Sequence, residues 1–89
     1  MSRVRFVPAF YEDAMTGRMI PRQEIEDRLW NDVQDATRHV NANKDARRYD
    51  VYMDTPMGRN LYRYMTRLQI EALRAYHAFD HGFCRVTYL

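Results

Sequence analysis

The chain has 89 residues, 46% apolar and 29% charged, with a formal net charge of +2 and a single cysteine. A chain of this size hides only about 60% of the surface its unfolded form exposes, so these figures describe one folded domain with a thin core. They exclude three classes: aromatic side chains are too frequent for a disordered tail, Cys84 has no partner for an internal disulfide, and no apolar run approaches the roughly eighteen residues of a membrane span. A lone cysteine, with acidic residues as early as Glu12 and Asp13, places the expected protein in a reducing compartment (cytoplasm, organelle matrix or virion) and not among secreted proteins.

Residues 3–20 read as a loose hairpin. Arg3 to Tyr11 alternates as a strand, with Val4 and Phe6 on one face and Pro8 forcing an edge position or a bend; Glu12 to Gly17 is turn-like, and Arg18 to Ile20 returns. A helix is expected over 21–42. It opens at Pro21, and Ile25, Leu29, Val33, Ala36 and Val40 form one apolar stripe with Trp30 at its margin. Glu24, Glu26 and Asp27 suit the positive end of its dipole, and Glu24, Asp32 and Asp35 form an acidic flank.

Residues 43–54 are expected as a connection. Within it Tyr49, Val51 and Met53 alternate as a short strand would, over too few residues to decide. A long helix is then expected over 55–81, with Thr55 as N-cap, Pro56 at the first helical position and Gly82 as the stop. Leu61, Met65, Leu68, Ala72, Ala75 and Phe79 recur along it as a heptad seam, leaving Arg59, Arg63, Arg67 and Arg74 on the opposite side. Residues 83–89, which alternate β-branched and aromatic positions, read as a terminal strand that pairs with the N-terminal one. The fold class expected is α+β: an N-terminal β-hairpin, two amphipathic helices and a C-terminal strand in a small two-layer domain.

Three sets of residues bear on chemistry. His77, Asp80, His81 and Cys84 offer nitrogen and sulfur ligands near one helix end, but they share their arc with Arg67 and Arg74 and lack a second cysteine, so no metal site is expected. Cys84 as a nucleophile needs a stabilised thiolate, whereas its strand context suits a small core residue; with no phosphate-cradling glycine loop either, neither an enzyme nor a cofactor is expected. The arginines remain. Thirteen of the fourteen basic residues are Arg, the base of bidentate and interface contacts.

The expected role is a non-catalytic accessory subunit or adaptor that docks into a larger protein assembly. Its contacts are expected through Arg59, Arg63, Arg67, Ile70 and Arg74 on one side of the long helix and Tyr62, Leu73 and Tyr76 on another. The alternative is a dimeric nucleic-acid-binding regulator that sets the same arginines against phosphates. A symmetric homodimer that joins acidic helix to basic helix is the further partner considered.

Overall fold

The first hairpin pairs β1 (Phe10–Glu12) with β2 (Met19–Pro21), antiparallel, in a computed structural model that describes residues 7–42 and 46–89. The expected strand residues Arg3 to Phe6, with the Val4 and Phe6 face, lie outside the described residues, as does Lys44. The turn forms because the Asp13 carboxylate accepts the Met15 N–H at 2.8 Å while the Asp13 carbonyl accepts the Gly17 N–H at 2.7 Å.

Helix α1 (Arg22–Ala42) follows without a linker, so Pro21 closes β2 instead of opening the helix. Its apolar stripe is only partly covered: of the positions described, Ala36 alone is buried. Arg22 ties the start of the helix to its surroundings. Its N–H donates to the Ala9 carbonyl at 2.9 Å, and its guanidinium donates to Tyr11 Oη at 3.0 Å and to the Phe79 carbonyl at 3.3 Å, with its carbon 4.5 Å from the Phe79 ring centre.

The expected helix over 55–81 does not form as such. Strand β3 (Arg48–Thr55) occupies most of the expected connection, strand β4 (Gly58–Thr66) replaces the first half of the helix, and helix α2 (Arg67–His81) starts only afterwards. Thr55 and Pro56 are therefore turn residues. The Thr55 hydroxyl accepts the Met57 N–H at 3.1 Å, and Gly58 takes φ 127°, a backbone angle that side-chain-bearing residues avoid, to bring the chain back. The N-cap is Thr66: its hydroxyl accepts the Gln69 N–H at 3.2 Å while the Gln69 side chain accepts the Thr66 N–H at 3.0 Å, a reciprocal capping box. Gly82 ends α2 as expected, its N–H donating to the Ala78 carbonyl at 2.9 Å.

Strand β5 (Arg85–Tyr88) pairs antiparallel with β3, giving a three-stranded sheet in the order β4-β3-β5. Among the described residues the N-terminal hairpin forms a separate sheet and β5 pairs with β3; Arg3 to Phe6 of the strand expected beside β5 lie outside them. Val51 and Met53 of β3, both 0% exposed, sit between the two neighbouring strands. Helix α2 packs on the face of the sheet that carries them, and α1 packs against α2. The core is Val51, Met53, Ile70 and Cys84, with Tyr49, Tyr62, Met65, Leu73, Ala78 and Val86 against it. Burial of each aliphatic side chain contributes about 1.5–3 kcal/mol. The chain is α+β: the described residues form two helices and two small antiparallel sheets, in a slab of 41 × 38 × 17 Å.

Candidate interaction surface

Because side chains alternate along a strand, the residues of the sheet that do not face α2 share one outer face. The register places Arg48, Asp50, Tyr52 and Asp54 of β3 there, with Arg59, Leu61 and Arg63 of β4 and Arg85 and Thr87 of β5. No described element packs on this face. Leu61 is 40% exposed and Tyr64 74% exposed, large values for residues that would be covered in a closed sandwich.

A β-bulge shapes one corner. The register slips between Tyr49 and Val51, so Asp50 faces two residues of β4, and Tyr64 adopts φ 59°. The left-handed angle is held by the Asp50 carboxylate, which accepts the Tyr64 N–H at 2.9 Å. The Tyr64 ring is thereby turned beside Arg48, whose guanidinium carbon lies 5.3 Å from the ring centre. The Nε and Nη1 atoms of Arg48 are buried and have no hydrogen-bond partner. Such donors are costly to leave unmade.

Elsewhere on the face, Arg59 grips Asp54 through Nε to Oδ1 at 2.6 Å and Nη2 to Oδ2 at 3.2 Å, and its guanidinium carbon stands 4.8 Å from the Tyr52 ring centre. The hydrogen bond from Arg59 holds the Asp54 carboxyl below its ordinary range. Arg63 and Arg85 make no ion pair among the described residues. Four arginines against two aspartates leave the face cationic.

The eight residues expected to meet a partner are dispersed by the strand-for-helix exchange. Arg59 and Arg63 lie on the outer face of the sheet. Arg67 begins α2 and pairs with Glu71 at 3.3 Å. Arg74 donates to the Cys84 carbonyl at 3.3 Å and so ties α2 to the segment before β5. Ile70, expected as an exposed aliphatic amid arginines, is 1% exposed and belongs to the core. Leu73 packs against that core. Tyr62 points the other way from Arg59 and Arg63, with its hydroxyl 3.2 Å from His77 Nε2, and Tyr76 packs tilted against Trp30 at 5.2 Å between ring centres. The single arginine stripe expected along one helix is therefore corrected: Arg59 and Arg63 belong to β4 and Arg67 and Arg74 to α2, with Arg59 and Arg67 on own-chain carboxylates and Arg74 on a carbonyl. Tyr52, Leu61, Tyr64, Arg85 and Thr87 were missed; the alternation of Arg59, Leu61 and Arg63 was the signal for a strand face.

The His77 cluster is inward and crowded. His77 and His81 stack at 5.8 Å, His81 lies 3.5 Å from Asp80, and His77 Nδ1 is buried without a partner. Burial, reinforced by His81, lowers the His77 pKa, while burial raises that of Tyr62 and of the Cys84 thiol. Among the described residues, no group of three or more His, Cys, Asp and Glu side chains is placed to hold a metal ion, and no helix is long and apolar enough to cross a membrane.

A recess of about 430 Å³ lies between the helices, lined by Ala36, Leu68, Ala72 and Ala75 together with Asp32, Asp35, Glu71 and His39. Asp35 and Glu71 are paired with Arg38 and Arg67 at its rim. No family model, no curated protein and no solved structure matches the chain.

Proposed function

We propose that the chain is a non-catalytic accessory subunit or adaptor that docks into a larger protein assembly, and that it docks through the outer face of the three-stranded sheet. The observation that carries this reading is the uncovered face itself, where Arg63 and Arg85 make no ion pair among the described residues, the Asp54 opposite Arg85 being held by Arg59, and Arg48 holds buried donors unmatched beside the exposed Tyr64. Arg and Tyr beside an aliphatic such as Leu61 are the residues that concentrate binding energy at protein interfaces. An acidic partner surface with an apolar centre complements this set.

The nucleic-acid reading is the alternative, and Tyr64 beside Arg63 is what favours it, because bases stack on such platforms. Against it stand Asp50 and Asp54 in the middle of the same face, which repel a phosphate backbone.

Co-purification of the chain from its native source, with mass spectrometry of what accompanies it, tests the proposal. A variant combining Arg63→Glu, Tyr64→Ala and Arg85→Glu should lose its companion, while Arg28→Glu on α1 should keep it. Retention of the companion by the triple variant overturns the docking surface. Nucleic acid in the complex, released steeply as salt rises, replaces the first reading with the second.

A further inference from the structure

The two edges of the three-stranded sheet are built differently. Strand β4 is blunted by its bulge, by the left-handed Tyr64 and by the charges of Arg59 and Arg63, which are devices that discourage a further strand. Strand β5 has no bulge, proline or lysine. Its backbone can be read group by group. The Leu89 N–H donates to the Asp50 carbonyl at 3.0 Å, so by the alternation of an antiparallel ladder the groups of Arg85, Thr87 and Leu89 turn toward β3, and those of Val86 and Tyr88 turn away.

We infer that β5 pairs with β5 of a second copy of the chain, antiparallel about a two-fold axis through Thr87. Val86 of one copy then faces Tyr88 of the other, and both N–H and C=O groups of both residues are satisfied in both copies. Among the described residues no strand pairs with the outer edge of β5; moving the axis to Val86 or Tyr88 lets only one strand residue of each copy exchange bonds, so the Thr87 register is the one that uses the whole of that edge. Its side chains agree: Thr87 meets Thr87, a favourable cross-strand pair, and Arg85 meets Leu89 rather than another arginine. Any other partner would have to bring an open edge of the same span, whereas a second copy carries one by symmetry. Phe83, Tyr88 and Leu89, at 54%, 47% and 69% exposed, gather unburied apolar surface along this edge. The pairing joins the two outer faces into one six-stranded surface while leaving each of them open, so it stands or falls apart from the docking proposal.

Sedimentation equilibrium of the purified chain from micromolar to near-millimolar concentration should show a monomer–dimer equilibrium. Val86→Pro removes an N–H that turns away from β3 and serves no described residue of the subunit, and so should weaken the dimer by about tenfold or more while circular dichroism remains that of the parent. Thr87→Cys should give a disulfide-linked dimer on mild oxidation, and Arg85→Cys should not, because only the residue on the axis meets itself. A monomer throughout the range overturns the inference, as does a dimer that is indifferent to Val86→Pro or whose Thr87→Cys form fails to cross-link. If Val86→Pro misfolds, the two cysteine variants decide alone.

Discussion

Replacement of Ile70 and of Leu68 by alanine separates the heptad seam from the observed core. In the seam Leu68 is buried and Ile70 faces out; in the fold Ile70 is 1% exposed and Leu68 is 52% exposed. Ile70→Ala removes three buried carbons at about 0.8 kcal/mol each, about 2.4 kcal/mol, and the cavity left beside Val51 and Met53 brings the expected loss to about 3–4 kcal/mol. Leu68→Ala withdraws a similar group that is already half in water, and should cost about 1 kcal/mol or less. A domain of this length has a total of roughly 4–13 kcal/mol, so the first change removes a large share. Urea unfolding followed by the fluorescence of Trp30 measures both, and with a slope near 1 kcal/mol per molar the Ile70 variant should shift its midpoint by about 3 M or be unfolded at the outset. An Ile70→Ala variant within about 0.5 kcal/mol of the parent, or a Leu68→Ala variant that is the worse of the two, would refute the placement of α2 on the sheet.

Two other outcomes follow from the same contacts. Thr66→Ala should destabilise the protein by about 1 kcal/mol in urea, because it removes one half of the capping box, and Thr66→Ser should restore most of the loss. His77 has a pKa below its ordinary value, so the unfolded chain binds its proton more tightly; the stability it contributes is complete above the unfolded pKa near 6.5 and is lost as pH falls through the folded value. Thermal midpoints of the parent should therefore drop between neutral and mildly acidic pH. The drop should shrink in His77→Phe, and an equal slope in both would remove His77 as its cause.

What the residues made legible was local. The turn at Asp13 to Gly17, the helix that follows Pro21, the stop at Gly82 and the strand after it could all be read because each depends on neighbours in sequence. The region from Thr55 to Thr66 misled because its signals serve two structures. Thr-Pro opens helices and also opens tight turns, and Leu61 and Met65 keep a helical spacing by accident of the bulge that displaces Met65 along its strand. Two better signals were present. Thr55-Pro56-Met57-Gly58 is a complete turn between runs rich in Tyr, and Thr66 with Gln69 is a capping box eleven residues downstream of the start chosen. The candidate surface was legible only in part for the same reason. Arg59 and Arg63 were singled out for their kind, but which residues stand beside them depends on pairing with β3, a long-range choice that residue order alone does not disclose.

Strand β3 is hydrogen-bonded on both sides and carries Val51 and Met53, both with no exposure at all. Its amides can meet solvent only when both flanking strands leave, which is the same event as loss of the whole fold. The short hairpin is a two-stranded ladder held by Ile20, by the Tyr11 ring against Phe79 and by Arg22, so its amides depend on side-chain contacts more than on a neighbouring strand. Exchange should thus be slowest along the central strand and faster in the hairpin, a gradient that follows the number of strands each one is bonded to.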